Sequence, residues 1–383
     1  MPKLIRITTV PVSLKTLLKG QHQYMSQNGF EVIGVSSSGK ELKEVEKEEG
    51  IRTHVINMTR KITPLQDLKA LFQLIRFLRK EKPDIVHTHT PKAGLLGMMA
   101  AKIAGVPHRL HTVAGMPLTV ATGAKRTLLN FIEKFTYSCA TKVYPNSIGL
   151  KNLILEYGFT HEEKLKVIGK GSSNGINTSD FNPETVTENE SISLRKSLGI
   201  SEKDFVFVFV GRIVKDKGIN ELITAFENAY AYANNIHLVL VGSFERALDP
   251  LHKETEESIK KHPHIHSVGY QNNVIPYFAM ADVLTFPSYR EGFPNVVMQA
   301  ASMQLNAIVT DINGCNEIIT HGENGWIIAV ANAEELAEKM KWCIDNPEKS
   351  KAMGLKSRAI MQKDFERSYV QAELLKEYKN LLK

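Results

Sequence analysis

The 383-residue chain has few cysteines: Cys139, Cys315 and Cys343 are far apart and form no Cys-x-x-Cys pair. This spacing argues against a disulfide framework or a zinc site and fits a reducing cytoplasm. Long apolar runs are also missing, because no uninterrupted stretch approaches the roughly 20 residues that cross a bilayer. Lys3 and Arg6 interrupt the apolar N-terminus, which is therefore interpreted as a strand and not as a signal peptide.

Two signatures of common binding sites are missing as well. The sequence has no Asp-x-Asp motif that would hold a catalytic divalent cation. It also has no G-x-G-x-x-G turn, which argues against a dinucleotide-dependent dehydrogenase. His87-x-His89 has the spacing of a metal site, but no further ligand follows it, so we expect no metal there.

The charge of the chain is unevenly distributed. Residues 1–175 contain 26 Lys and Arg against 13 Asp and Glu, whereas the remainder contains 22 against 28. Either the first half faces an anionic membrane, or a solvated surface is simply uneven. We favour the membrane, because the basic amphipathic segments 65–82 and 125–139 are typical of helices on bilayer surfaces.

Short apolar strands alternate with helix-length segments in both halves, which predicts two parallel-sheet α/β domains. The glycine-rich stretch 169–175 is interpreted as a hinge and the polar stretch 182–191 as a surface linker. The predicted domains are 1–170 and 171–363, followed by a C-terminal helix at 364–383. The predicted strands are 4–8, 30–35, 52–56, 85–88, 109–113, 142–144, 166–168, 205–210, 237–241, 266–269, 283–286, 307–310 and 326–328.

The segment 288–299, with the sequence SYREGFPNVVMQ, is the most informative about function. It follows an apolar strand and leads through Glu291 into a helix opened by Pro294, a residue tolerated in the first turn. The free amides and the positive end of that helix predict a phosphate site. Glu291 lies just before this position, where a carboxylate can accept hydrogen bonds from sugar hydroxyls. The segment therefore predicts a site for a sugar attached to a phosphate.

A second candidate phosphate site follows the strand 205–210. Gly211 lets the backbone turn closely around a ligand, while Arg212 offers a bidentate fork and Lys217 a point charge. The alternative is that both cations pair on the surface with acids such as Asp216. We favour the phosphate interpretation.

Together these motifs resemble the E-x7-E signature of the retaining glycosyltransferases of family 4, which have the GT-B fold. The resemblance is strongest over 205–330 and includes 311–317 and, in the first half, 83–94. It implies two Rossmann-like domains with a cleft between them and a C-terminal helix that returns to the first domain.

The resemblance also implies an activity. It is the metal-independent transfer of a sugar, with retention, from a nucleotide-diphosphate donor to a membrane-associated, polyprenyl-diphosphate-linked glycan. The donor is expected to be a UDP-sugar, and relatives of this kind often use N-acetylated ones. The expected setting is surface polysaccharide biosynthesis by a cytoplasmic enzyme on the inner face of the plasma membrane, bound through its basic first domain. No cofactor and no nucleic acid are expected. Two alternatives stay open: a catalytically weak nucleotide-sugar-binding protein and a nucleotide-sugar epimerase of the same fold.

Site residues are carried over by position. Two departures from the family pattern stand out: Gln299 replaces the second glutamate of the signature, and Ala114 replaces a histidine or arginine. The expected catalytic residues are Glu291, Arg212 and Lys217. The expected acceptor-side residues are His89, Lys92 and His111, and no metal ligand is expected. The expected donor-binding residues are Gly211, Arg212, Lys217, Tyr270, Glu291, Gly292, Phe293, Pro294, Asn295, Val296 and Gln299.

Overall fold

The computed structural model describes residues 1–116, 118, 122–247 and 249–383. Within these residues the chain forms two compact units, one of residues 1–175 with 367–383 and the other of residues 176–366. Each unit contains a six-stranded parallel sheet with helices packed on it. The predicted class, α/β with two Rossmann-like domains, is confirmed.

The first unit is a sheet with strand order β3-β2-β1-β4-β5-β6. The chain adds strands on one side of β1 and then on the other, so a topological switch point lies between β1 and β4. The strands are β1 (Lys3–Ile7), β2 (Glu31–Ser36), β3 (Arg52–Val55), β4 (Ile85–Thr88), β5 (His108–Val113) and β6 (Lys142–Pro145). The helices are α1 (Pro11–Leu17), α2 (Gln21–Gln27), α3 (Lys40–Glu49), α4 (Pro64–Glu81), α5 (Pro91–Ile103), α6 (Gly123–Cys139), α7 (Ile148–Glu156) and, at the end of the chain, α16 (Arg367–Leu381).

Side chains of the first sheet alternate between two apolar layers. Leu4 on β1 faces a layer built with α1, α2, α3 and α16, whereas Ile5 and Ile7 face a layer built with α4 to α7. A parallel sheet covered on both faces needs strands that are apolar throughout. The helix α16 therefore completes the first unit, as the predicted return of the C-terminal helix requires.

The second unit is a sheet with strand order β12-β11-β10-β7-β8-β9, and its switch point lies between β7 and β10. Its strands are β7 (Phe205–Val210), β8 (Ile236–Val241), β9 (Ile265–Gly269), β10 (Val283–Phe286), β11 (Asn306–Thr310) and β12 (Trp326–Ile328). Its helices are α8 (Glu188–Ser197), α9 (Ile219–Tyr232), α10 (Lys253–Lys261), α11 (Ile275–Ala279), α12 (Asn295–Ser302), α13 (Cys315–Ile318), α14 (Ala333–Asp345) and α15 (Pro347–Ile360).

The limits of the units differ by a few residues from the predicted divisions after 170 and 363. The loop 171–175 stays with the first unit, because the Ser172 amide donates to Asn146 O (2.7 Å) and Gln21 Nε2 donates to the carbonyl of Ser173 (2.7 Å). Glu366 stays with the second unit, where its carboxylate accepts from the Thr178 hydroxyl (2.6 Å). The second unit therefore begins at 176, and the returning segment begins at 367.

Three local predictions are wrong. The strand predicted at 166–168 does not form, since the chain makes a single bridge, between Leu165 and Val143, before it turns away. The predicted linker 182–191 contains the start of α8, where Thr187 and Glu190 bond each other's amides in a capping box. Pro294 is the N-cap of α12 and lies one residue before the first helical turn.

None of the helices in the described parts of the chain is long and apolar enough to span a membrane.

Candidate active site

The predicted donor residues of the second unit follow the carboxyl ends of its parallel strands. Arg212 comes after β7, Tyr270 after β9 and Glu291 after β10. Open α/β sheets bind ligands outside this edge, at the switch point. Here the switch point is the gap between β7 and β10, so the loops that carry Lys217 and Glu291 are the central ones. Tyr270 lies farther out, after the edge strand, with 71% of its surface exposed.

Lys217 and Glu291 form an ion pair at this switch point. Lys217 Nζ contacts Glu291 Oε1, and the two side chains are 14% and 17% exposed. The Ser288 hydroxyl donates to the same carboxylate oxygen (3.0 Å). An ammonium has three N–H donors, and Lys217 Nζ donates to no other residue that the structure describes, so two donors are left for a ligand. The pair thus offers a fixed carboxylate beside a cation, as a sugar joined to a phosphate requires.

The two loops of the pair are also bonded to each other through their backbones and through a second ion pair. The Tyr289 amide donates to Asp216 O (2.9 Å), and Arg290 Nη2 pairs with Asp216 Oδ2 (2.9 Å). The Tyr289 hydroxyl donates to Glu221 Oε1 on α9 (2.7 Å). Asp216 therefore pairs with Arg290, a contact that the sequence analysis missed, and with neither Arg212 nor Lys217.

Gly218 allows this close approach of the loops. Its φ of +70° lies in the left-handed region, and a Cβ at this position would lie 2.0 Å from the carbonyl oxygen of Pro287. Only glycine satisfies both constraints. Gly218 therefore allows the loop of Lys217 to come close to the loop of Glu291.

A buried thiol lies within electrostatic reach of both members of the pair. Cys315, at the start of α13, is fully buried. Burial raises the pKa of the Cys315 thiol well above its usual range, and the charge of Glu291 raises it further. Cys315 is thus held as a neutral thiol, so the charges at this point of the site are those of Lys217 and Glu291.

Arg212 lies at the rim of the site. Its Nη1 pairs with Glu245 Oε2 (2.9 Å), and its side chain is 47% exposed. An exposed pair of this kind contributes little to stability. Rearrangement toward a ligand phosphate therefore costs little. Gly211, beside it, ends β7 as predicted.

The beginning of α12 presents backbone donors. The first intrahelical bonds are made by the amides of Val297 and Met298, to Pro294 O, so those of Asn295 and Val296 point out of the helix end. Phe293 packs against Phe365, with ring centroids 5.4 Å apart, so its side chain belongs to the core. Gly292 and Phe293 can therefore contribute to a donor site only through their backbone.

Gln299 lies further along α12 and is partly exposed. Its side-chain amide makes no hydrogen bond to any residue that the structure describes. A carboxamide can both accept and donate a hydrogen bond. The predicted contact with ribose stays a prediction.

The acceptor-side residues lie in the first unit. The loops after β1 and β4 meet at its switch point, where the Thr9 amide donates to Thr90 Oγ1 (3.0 Å). His89 is 5% exposed, and neither of its ring nitrogens has a hydrogen-bond partner among the described residues. Lys92, at the start of α5, pairs with Asp67 and donates to Lys61 O (2.7 Å). Asp67 of the same unit therefore neutralises the charge of Lys92.

His111 is a buried residue under α5. Its Nδ1 lies 2.7 Å from Thr88 Oγ1, and burial lowers the pKa of its ring to about 4. Gly94 on α5 leaves room for the ring, since a Cβ there would lie 2.4 Å from His111 Cε1. His111 is therefore neutral and packed in the core. The acceptor-side roles of His89, Lys92 and His111 stay predictions.

Within the described ranges, no group of three or more His, Cys, Asp or Glu side chains is arranged to hold a metal ion. The histidines of the His87-x-His89 motif thus gain no further ligand. Independence from metals stays a prediction.

Two Rossmann-like units in one chain are the architecture of the GT-B glycosyltransferases. Residues 10–147 match the family model described as Glycosyl transferase 4-like, and residues 190–359 match Glycosyl transferases group 1. The capsular polysaccharide biosynthesis glycosyltransferase CapM of Staphylococcus aureus is 33% identical over 381 residues, which cover 100% of this chain and 98% of that protein. The chain belongs to the glycosyl transferases group 1 family.

Other relatives agree with this assignment. The UDP-Gal:alpha-D-GlcNAc-diphosphoundecaprenol alpha-1,3-galactosyltransferase of Escherichia coli is 31% identical over 280 residues, 72% of this chain and 70% of that protein. The crystal structure of Anabaena HepE in complex with UDP superimposes with a TM-score of 0.80 at 18% identity, over 99% of this chain and 100% of that one. The predicted enzyme class, glycosyltransferase, is confirmed.

Ser288→Ala is expected to lower kcat about tenfold and to change KM for the donor little. Ser288 is fully buried and its hydroxyl holds the carboxylate of Glu291, so the substitution removes one of the bonds that fix this carboxylate. One hydrogen bond to a charged group contributes about 1.5–3 kcal/mol. Steady-state kinetics with varied donor concentration measures the effect.

Ser302→Ala is the matched control. Ser302 is also fully buried in the second unit, but its hydroxyl has no partner in the described part of the chain. This variant should keep the parental kcat. Equal kcat values for the parent and Ser288→Ala would show that Ser288 does not position Glu291.

Proposed function

We propose that this enzyme transfers a sugar, with retention, from a UDP-sugar to a polyprenyl-diphosphate-linked glycan at the inner face of the plasma membrane. The observation that carries the proposal is the Lys217–Glu291 pair at the switch point of the second sheet. A cation and a carboxylate held side by side match the two halves of a nucleotide sugar, the diphosphate and the pyranose.

The proposed transfer takes place on one face of the sugar. The bond between the anomeric carbon and the diphosphate oxygen breaks, and the acceptor hydroxyl bonds the same carbon from the same side. The departing diphosphate takes the proton of that hydroxyl. Glu291 holds the sugar hydroxyls and does not attack the anomeric carbon.

The charge of the departing diphosphate is neutralised by protein groups in this proposal. Lys217 and Arg212 supply two cations, and the free amides of α12 supply hydrogen-bond donors. Such fixed donors act without reorganisation when the charge develops. Transfer is accordingly proposed to be independent of divalent metals.

The acceptor class is suggested by the relatives. The Escherichia coli enzyme is named for UDP-Gal and for a diphosphoundecaprenol-linked acceptor, and CapM is named for capsular polysaccharide biosynthesis. The HepE structure contains UDP. These names favour a UDP-sugar donor and a lipid-linked acceptor for this chain.

A panel of UDP-sugars and undecaprenyl-diphosphate-linked mono- and disaccharides, with and without EDTA, tests the proposal. One donor and one lipid-linked acceptor should give product, EDTA should leave the rate unchanged, and NMR of the product should show the anomeric configuration of the donor. Inverted product, or activity that is lost in EDTA, would overturn the mechanism. Donor isomerisation without an acceptor would instead identify an epimerase.

The membrane-facing part of the proposal is supported by exposed apolar side chains of the first unit. Five of them are 46–86% exposed at the amino-terminal halves of α4 and α6. Crossover helices run antiparallel to the strands, so both amino ends lie at the carboxyl edge of the sheet, where β1 and β4 have their switch point. The five residues, here called the apolar edge, are Leu65, Leu68, Phe72, Leu128 and Phe131.

Charge complements this apolar edge. The first unit, α16 included, contains 30 Lys and Arg against 15 Asp and Glu. Lys69 and Lys125 are exposed on the same two helix segments. By contrast, Arg79 and Lys80 lie in the last turn of α4, about 20 Å along the helix axis from its start. We therefore propose that the apolar edge with Lys69 and Lys125 contacts an anionic bilayer.

Binding to vesicles that contain anionic lipid is expected to fall about 30-fold in the double variant Lys69→Gln/Lys125→Gln. Each basic residue near an anionic surface contributes about 1 kcal/mol. Co-sedimentation should also decrease as salt shortens the Debye length from about 8 Å to about 3 Å.

Arg79→Gln/Lys80→Gln removes the same charge from the far end of α4 and should bind nearly as well as the parent. Phe72→Ser/Phe131→Ser tests the apolar side chains and should weaken binding at all salt concentrations. Equal sedimentation of the parent with neutral and anionic vesicles would contradict the proposed contact.

A further inference from the structure

A buried arginine in the first unit has no carboxylate partner. Arg6 on β1 is fully buried. Its Nη2 donates to Gln21 Oε1 (2.6 Å) and to the Tyr378 hydroxyl (3.3 Å), but its Nε and Nη1 have no acceptor among the described residues. Burial of an unpaired charge is strongly destabilising, so a counter-charge is expected.

The side chain of Arg6 lines a cavity of about 20 Å³. His89 and Ser173 line the same cavity, and both nitrogens of His89 and the hydroxyl of Ser173 are buried without a partner in the described parts of the chain. A volume of this size holds one water-sized particle. It fits a small ligand better than a phosphate or a carboxylic acid. The wall also includes Asn146, whose Oδ1 is likewise buried without a partner among the described residues. Rotation of this amide by half a turn presents its NH₂ group to the cavity instead.

The carboxylates of the surrounding helices are engaged elsewhere. Glu377 on α16 pairs with Lys166 and accepts from the Tyr144 hydroxyl (3.1 Å). Glu49 at the end of α3 accepts the amides of residues at the start of α2, His22 and Gln23 among them. Neither carboxylate pairs with Arg6.

The histidines around Arg6 are neutral. Burial lowers the pKa of His87 and of His89 well below the usual range, and it lowers that of His22 to about 3; the charge of Arg6 lowers all three further. Arg6 therefore supplies the positive charge at the cavity, and the neighbouring histidines supply none. A metal cation beside it would be repelled, whereas an anion would be attracted.

We propose that the Arg6 cavity binds one monatomic anion, which is chloride in the cell. Arg6 Nη1 donates to it, together with one ring N–H of His89 and the hydroxyl of Ser173. The same guanidinium bonds the Tyr378 hydroxyl, and His87 Nδ1 lies 2.6 Å from that hydroxyl. The anion thus completes the polar network that joins α16 to the sheet.

Thermal unfolding at constant ionic strength and pH tests the proposal. Replacement of sodium gluconate, whose anion is too large for the cavity, by about 100 mM sodium chloride should raise Tm by about 3–6 °C and saturate. Arg6→Gln should abolish this chloride dependence. Arg109→Gln is the control, because Arg109 is a second arginine of the same sheet whose guanidinium donates to backbone carbonyls; this variant should keep the dependence.

Crystals grown in sodium bromide give a second measurement that needs no variant. An anomalous peak within hydrogen-bond distance of Arg6 Nη1 would support the proposal even if Arg6→Gln does not fold. The proposal is overturned if Tm is the same in chloride and gluconate, or if the cavity shows density without anomalous signal, which would identify a water molecule.

Discussion

Lys217→Met is expected to lower kcat/KM for the nucleotide-sugar donor about 100-fold and to weaken UDP binding. The substitution removes the cation proposed to bind the diphosphate and leaves the carboxylate of Glu291, only 17% exposed, without its partner. Hydrogen bonds to charged groups contribute about 1.5–3 kcal/mol, which corresponds to a tenfold to 150-fold effect. Isothermal titration with UDP beside steady-state kinetics measures both quantities.

Lys215→Met is the control for that variant. Lys215 lies on the same single turn between β7 and α9, but its side chain is exposed and makes none of the contacts of Lys217. It should retain parental kinetics. If Lys217→Met and Lys215→Met bind UDP and turn over equally, the donor site lies elsewhere on the carboxyl edge.

Gly218→Ala is expected to lower the free energy of unfolding of the second unit by about 3–4 kcal/mol, the range of strongly destabilising substitutions. An alanine there takes on an unfavourable positive φ and also brings its Cβ to within 2.0 Å of Pro287 O. The loop must move, so Lys217 and Glu291 separate. Chemical denaturation measures the free energy of unfolding, and titration with UDP measures the affinity of the site. Both quantities should decrease.

Gly199→Ala separates the two causes. Gly199 also has a positive φ, of +71°, but a Cβ there would meet no atom within 4 Å. Gly199→Ala should lower the free energy of unfolding by about 1 kcal/mol, because only the positive φ is unfavourable for alanine there. Comparable losses in both variants would mean that the contact with Pro287 does not matter.

Much of the second unit could be predicted because its signals are local. Apolar runs followed by glycine and charged residues mark the carboxyl ends of strands, and in a parallel sheet these ends share one edge. Arg212 and Glu291, both assigned to the donor site, follow two such strands and therefore lie on one edge. The capping box at Thr187 and Glu190 is an equally local signal for a helix, whereas the polarity of the same segment predicts a linker.

Pairing between distant residues could not be predicted in this way. Lys217 and Glu291 are 74 residues apart, and the choice of Glu291 over Asp216 as the partner of Lys217 depends on the order of β7 and β10 in the sheet. Arg6 is a second example. In sequence it interrupts an apolar strand and suggests exposure, yet it is fully buried because α16 covers it from the other end of the chain.

The position of α16 has a consequence for vectorial synthesis on the ribosome. The first 175 residues emerge early, but Leu374, Leu375 and Tyr378 of α16 are part of their apolar layer, and the Tyr378 hydroxyl contacts Arg6. Until α16 has left the ribosome, the part of this face that α16 covers stays exposed to water and chaperones. The second unit carries its whole core between residues 176 and 366 and can finish folding first. In this chain, the half that is made first is completed last.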